Sequence, residues 1–475
     1  MRNVLLKELQ INLYSGKMLT TFLLLVTVFL ISLGMMYQEY QQRLEHYNLS
    51  VSGAGKDWLV ETVWSMERPD GDLSSEAIGT FPMGKVKRPQ PLSYFARGVD
   101  LEFSKPVEYF THFDHAKIHV YPNHEQNLFK LVFDPPDLLA VVTILLSLLA
   151  LLFSHGLFSR EKEEGTLKQM LAAGCSRASI FGGKFIGGFL SLWLCFTGAF
   201  LVYALALSFV EAQVMSGEPA ARVASIYAAC TLFALVFYSL GALISAFSRS
   251  SSTSTVLSFF VWLLLIFIVP GTSSMFAQQF APVPSRQEVE RNKLDALHKI
   301  QDEYAAEHPD ENPSIRDGVQ MFVGTLETVN EAHQRIEEEY ERQQQNQIEM
   351  TLNLSRASPT ASASNILSSL SLNGLEDLKL YKSEQQNLLQ QIRNQIEEYS
   401  SYLWATYPEW AGFGRTAEEQ GELKKVFDVQ TQYEYASMDF DKSMSFVWLD
   451  LFLLSIYTLL AVAISYLLFL RYDPR

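Results

Sequence analysis

Cysteine is scarce: the 475 residues hold three, Cys175, Cys195 and Cys230. All three fall in or beside the apolar half of the chain and none lies in its two long polar stretches, which excludes a disulfide-stapled exterior and a cysteine metal cluster. Basic charge is also in short supply. Lys and Arg number 37 against 52 Asp and Glu, a net charge of −15, whereas a nucleic-acid partner requires a basic face to neutralise phosphates. Signatures of nucleotide and hydrolase chemistry are missing too. A phosphate-binding loop needs G-x-x-x-x-G-K-[ST], and the look-alike Gly183-Lys184 is followed by Phe185 and has Ala178 where the first glycine belongs. No G-x-S-x-G elbow or H-E-x-x-H zinc motif occurs. The chain is therefore read as no enzyme, with no cofactor of its own.

What is present is apolar sequence: 48% of residues are hydrophobic and only 19% charged. Six runs approach or exceed the roughly 20 residues that a bilayer core demands. They cover residues 18–37, 138–157, 185–210, 223–247, 255–276 and 446–470. The first is too long for the apolar region of a secretory signal and lacks a small-x-small cleavage site after it, so it is expected to be an anchor. Residues 1–17, with Leu5, Leu6, Leu9, Ile11 and Leu13 among Arg2, Lys7, Glu8 and Gln10, read as an interfacial amphipathic helix. Small residues in the third and fourth runs, Gly187, Gly188, Gly198, Ala229, Gly241 and Ala242, allow close helix packing. Pro270-Gly271 marks a place where the fifth helix is expected to kink or stop.

Two polar regions interrupt the runs. Residues 38–137 carry turn signals at Gly53-Ala-Gly55, Pro69-Asp-Gly71 and Pro89-Gln-Pro91, with alternating patches at 99–103, 116–121 and 128–133 that predict short strands, hence an α/β-mixed domain. His112, Asp114, His115, His119 and His124 lack the spacing of a known metal site, so no metal is assigned there. Residues 277–445 predict a helical domain, with a capping box at Ser285 and Glu288 and a long helix over 325–354 carrying Leu326, Val329, His333, Ile336 and Tyr340. Between Pro284 and Lys442 the count is 29 acidic against 15 basic residues, so the chain's acidity is concentrated there. Asp450, inside the sixth run and one turn from its outer end, is a candidate intramembrane polar site.

Residues 158–184 are the most informative stretch. Glu161, Lys162, Glu163 and Glu164 run into Gly165, which breaks that helix, and Thr166 with Gln169 has the spacing of a capping box that starts another. Leu167, Met170 and Leu171 form one apolar face, suited either to a groove on a partner or to the bilayer surface.

R-E-K-E-E-G-T-L-K-Q-M-L, followed by Ser176-Arg177 and Gly183-Lys184, resembles the first cytoplasmic loop of permeases in the ABC-2 family of ATP-binding-cassette transporters. The chain departs from many relatives in having Gly174-Cys175 where they place a proline before the Ser-Arg pair. Ser355 to Pro359, with the helical pair that follows, resembles the extracytoplasmic helical domain of one subgroup. The resemblance implies a coupling helix that rests on a separate ATPase subunit, with Glu161, Glu163, Glu164, Gly165, Thr166, Leu167, Met170, Leu171 and Arg177 as coupling residues. ATP and Mg would then be held by that partner.

The expected protein is mainly α and polytopic, with six transmembrane helices and two extracytoplasmic domains. Arg2, Lys7, Lys17, Arg160, Lys162, Lys168, Arg177, Lys184, Arg249, Arg471 and Arg475 fall on one side of such a topology, which makes that side, the loop 158–184, the tail 471–475 and both termini cytoplasmic. The expected setting is a bacterial inner membrane. The expected partners are two ATPase copies, a second identical or related permease and the lipid bilayer, and the expected work is export. The alternatives are mechanotransmission to a periplasmic partner without translocation, and a scaffold or receptor without an ATPase.

Overall fold

Six helices are long and apolar enough to cross a membrane, and their limits extend those of the apolar runs at one or both ends. Span one is Lys17–Glu45, span two Leu138–Glu163, span three Arg177–Val210, span four Gly217–Phe247, span five Ser251–Phe280 and span six Phe440–Leu470. The structure is a computed structural model and describes residues 1–51, 80–82, 87–99, 108–110, 136–307, 315–387, 390 and 435–472. By internal packing the chain divides into two units, Met1–Trp262 with Ser362–Arg475, and Leu263–Ala361.

In the first unit, spans four and six pack most extensively. Span six buries Ser443, Val447, Asp450, Leu454, Thr458, Ala461, Ser465 and Phe469, a three-four repeat that keeps one face against its neighbour along the whole helix. The amino-terminal helix, Arg2–Tyr14, packs on span three over a groove of small residues. A Cβ on Gly183 would lie 2.8 Å from Val4 Cβ, and one on Gly187 3.0 Å from the Leu5 carbonyl oxygen. Four residues further along the same face, Asn12 Nδ2 donates to Ser191 Oγ at 3.1 Å. The helix expected to lie on the bilayer surface thus spends one face on protein, while Leu6 and Leu13 on the other remain exposed.

The first polar region contributes a two-stranded antiparallel sheet, Thr80–Pro82 with Glu108–Phe110, registered Phe81 to Tyr109. The predicted strands at 99–103, 116–121 and 128–133 lie, Val99 apart, outside the described residues, as do His112, Asp114, His115, His119 and His124. Residues 87–99 are built into the unit. Tyr203 donates its hydroxyl to the Tyr94 carbonyl at 2.8 Å, and Asp137 caps span two through the Ala140 N–H while accepting from the Arg97 N–H. Asn373 Nδ2 donates to the Ala96 carbonyl and the Asn373 carbonyl accepts from the Val99 N–H, which joins this stretch to the chain beyond Leu370.

The second unit shows why Pro270 does not stop the fifth helix. The segment Leu264–Ile268 is a π-turn, in which each carbonyl pairs with the N–H five residues on. Val269 N–H reaches the Leu264 carbonyl in this way, but Pro270 has no N–H for the Leu265 carbonyl. Ser358 Oγ donates to that carbonyl instead, and the helix continues as Val269–Phe280.

The helices Arg286–Glu307 and Ile315–Ser355 then pack together. The expected cap forms in part, with the Glu288 N–H donating to Ser285 Oγ at 3.2 Å. Glu337 binds both Arg286 and Lys293 of the facing helix, at 2.5 Å each. Burial alone would raise this carboxyl, but the hydrogen bonds from Arg286 and Lys293 favour its charged form and hold it below its ordinary 4.5. A carboxyl lowered on folding stabilises fully above its unfolded value and loses that contribution as pH falls through its folded value. Amide protection in 286–307, taken relative to the intrinsic exchange rate at each pH, should therefore be steady near neutrality and fall as pH drops below 4.5. Glu337→Gln should remove most of that acid sensitivity.

Candidate functional site

The site is the loop joining spans two and three, and its shape follows from two glycines. The short helix Ser159–Glu163 ends at Gly165, whose φ of +72° is left-handed, and the helix Thr166–Ala172 ends before Gly174 at φ +81°. Open space surrounds both positions, so backbone conformation alone requires glycine there. Ser176 then caps span three, its Oγ accepting from the Ser179 N–H.

The Thr166–Gln169 capping box expected from spacing does not form. Gly165 occupies the cap position and makes no side-chain cap bond, while Thr166 Oγ1 donates to the Glu161 carboxylate. The apolar face is also used differently from either sequence expectation. Leu167 is buried in a cluster with Leu157, Phe158, Ile180, Phe181, Ala242 and Phe469, and Met170 and Leu171 pack against it. These residues fasten the loop to the chain's own spans. What the helix leaves in solvent is Lys168, Gln169, Ala172 and Ala173, followed by Cys175 and Ser176.

Glu161, Lys162, Glu163 and Arg177 each reach a different span. Glu161 Oε1 accepts from Lys184 Nζ at 2.7 Å, and Lys184, only 7% exposed, also donates to Glu8 Oε2 at 3.1 Å. The loop, span three and the amino-terminal helix therefore meet at one ammonium. Lys162 Nζ donates to the carbonyls of Ser245, Ala246 and Ser248, which closes the carboxyl end of span four. Glu163 Oε2 accepts from the Ser251 N–H at 2.8 Å, at the amino end of span five. Arg177 Nη1 donates to the Leu470 and Tyr472 carbonyls, at 3.0 and 2.8 Å, where span six ends. Cations sit at helix carboxyl ends and a carboxylate at a helix amino end, the pairing that the helix dipole and the unsatisfied terminal groups favour. Arg160 and Glu164 pair at 2.8 Å in solvent, where such a bridge contributes little.

Lys162, Lys184 and Glu8 were not among the sequence-derived site residues. Their signal was faint: Lys162 is one charge in a run of five, and Glu8 lies 176 residues from its partner. Asp450 is fully buried and accepts from Asn365 Nδ2 at 2.6 Å. Asn365 belongs to the helix Pro359–Leu370, whose Ile366, Leu367 and Leu370 are buried as well. Among the described residues no group of three or more His, Cys, Asp or Glu side chains gathers as metal ligands would.

Six apolar helices and a charged loop tied to the ends of four of them define a multi-pass membrane subunit. The chain belongs to the ABC-2 family: the family model described as "ABC-2 family transporter protein" matches residues 2–474. No curated protein matches it significantly. The protein is thus a membrane permease of an ABC system, and the family implies an ATPase partner.

Proposed function

We propose that this permease couples ATP hydrolysis by a separate ATPase to export of a substrate across the cytoplasmic membrane, with the 158–184 loop as its input lever. The observation that carries the reading is the division of labour within that loop. Glu161, Lys162, Glu163 and Arg177 brace it to the ends of spans three to six, Leu167, Met170 and Leu171 anchor it from within, and a polar face is left over for a partner. Gly165 and Thr166 set the angle between the two short helices, and Glu164 lies at the solvent edge with Arg160.

A push on the exposed face would reach four spans at once, because each brace ends on helix termini. ATP and Mg are assigned to two ATPase copies and a second permease, identical or related, to the working complex. The Lys and Arg distribution supports cytoplasmic termini and outward-facing polar domains.

Cys175 supplies a direct test, since it is exposed while Cys195 and Cys230 are buried. A photoactivatable maleimide placed on Cys175 in native membranes should cross-link to a protein carrying a phosphate-binding loop. Cross-links confined to lipid, or to proteins without such a loop, would overturn the assignment.

A further inference from the structure

Spans four and six are clamped at both ends, and at the end away from the loop the clamp is a single side chain. Arg222, one turn into span four, is 1% exposed. Its Nη2 donates to the Met438 carbonyl at 2.7 Å, and its Nη1 to Ser443 Oγ at 3.0 Å and to the Leu370 carbonyl at 3.4 Å. Its Nε donates to Glu218 Oε1 at 2.9 Å, and the guanidinium lies over the Phe440 ring. One planar group with five fixed donors therefore holds the start of span four, the start of span six and the carboxyl end of the Pro359–Leu370 helix. At the loop end, Lys162 and Arg177 hold the other termini of the same two spans. Between the clamps runs the continuous buried face of span six.

We infer that spans four and six move as one rod, and that Arg222 is the positioning residue that transfers movement of the 158–184 loop to residues 362–387. The inference rests on the proposed coupling to an ATPase and adds the route by which that coupling leaves the membrane. Residues 362–387 follow the rod because Leu370 is bonded to Arg222, Asn365 to Asp450 of span six, and Asn373 to the 87–99 stretch. Lysine at 222 keeps the charge but not the fork, so it reaches fewer of these acceptors at once.

The test is hydrogen exchange read by mass spectrometry on the purified permease–ATPase complex, with and without ATP plus vanadate. In the wild type, nucleotide should change exchange both in 158–184 and in 362–387. Arg222→Gln should keep ATP hydrolysis and the response of 158–184 but lose the response of 362–387, and Arg222→Lys should restore part of it. A full response of 362–387 in Arg222→Gln, or a wild type in which the loop responds and 362–387 does not, would overturn the inference while leaving the coupling reading intact. Absence of any nucleotide response in the wild-type loop would instead sink the coupling reading, and this inference with it. Should Arg222→Gln fail to accumulate, Ser443→Ala decides the matter: a reduced response of 362–387 supports the clamp, and a wild-type response removes it.

Discussion

Lys184→Met is expected to lower the stability of the detergent-solubilised protein by about 3 kcal/mol, the scale for removing one partner of a largely buried ion pair. The reason lies less in the lost attraction than in what remains. Glu8 and Glu161, 16% and 21% exposed, would face each other without the ammonium between them. Like charges in a poorly solvated site repel, and each carboxylate also loses a charge-assisted hydrogen bond. The triple substitution Glu8→Gln, Lys184→Met, Glu161→Gln removes the repulsion together with the bridge, and should recover most of the stability measured by thermal unfolding. If Lys184→Met unfolds at the wild-type temperature, the bridge does not hold the loop.

The membrane-spanning part of this fold was legible because it depends on local composition. An uncharged run of adequate length has few alternatives to crossing a bilayer, and the six helices fall where the runs do. Helix limits were less legible, since each helix continues past its apolar run for a turn or more; Arg177–Val210 begins well before the apolar run at Phe185. The glycine break at Gly165 could be read because a left-handed residue is a local requirement, whereas the second left-handed glycine, Gly174, was not read as a helix end. Side-chain destinations could not.

Thr166 has the spacing of a capping residue, yet a carboxylate five residues earlier takes its hydroxyl. Pro270 is a local helix breaker, but the proline's missing donor is replaced by Ser358, 93 residues from the carbonyl it serves. Arg222 stands immediately before the apolar run 223–247, yet the folded chain buries it among acceptors brought from residues 370, 438 and 443. In each case the decisive partner is distant in sequence, and periodicity carries no information about it.

Ala172→Glu is expected to separate this permease from its ATPase while leaving its own fold intact. Ala172 lies on the solvent side of the Thr166–Ala172 helix, opposite the buried Leu167, so a glutamate there meets water in the isolated permease and disturbs none of the internal braces. In a complex that covers this face the same carboxylate would be buried without a partner, a cost large enough to weaken association at least about tenfold. Leu167→Ala provides the contrast. It opens a cavity beneath the loop and should cost about 2–5 kcal/mol of stability, so its effect on the partner would come through misfolding of the loop.

The most direct measurement is the amount of ATPase that co-purifies from detergent-solubilised membranes with the wild type and with Ala172→Glu, each checked for an unchanged melting temperature. An ATP-hydrolysing subunit is expected with the wild type, and a loss of at least about tenfold with the variant. Equal recovery with both, or no ATPase with the wild type, would contradict the proposed coupling.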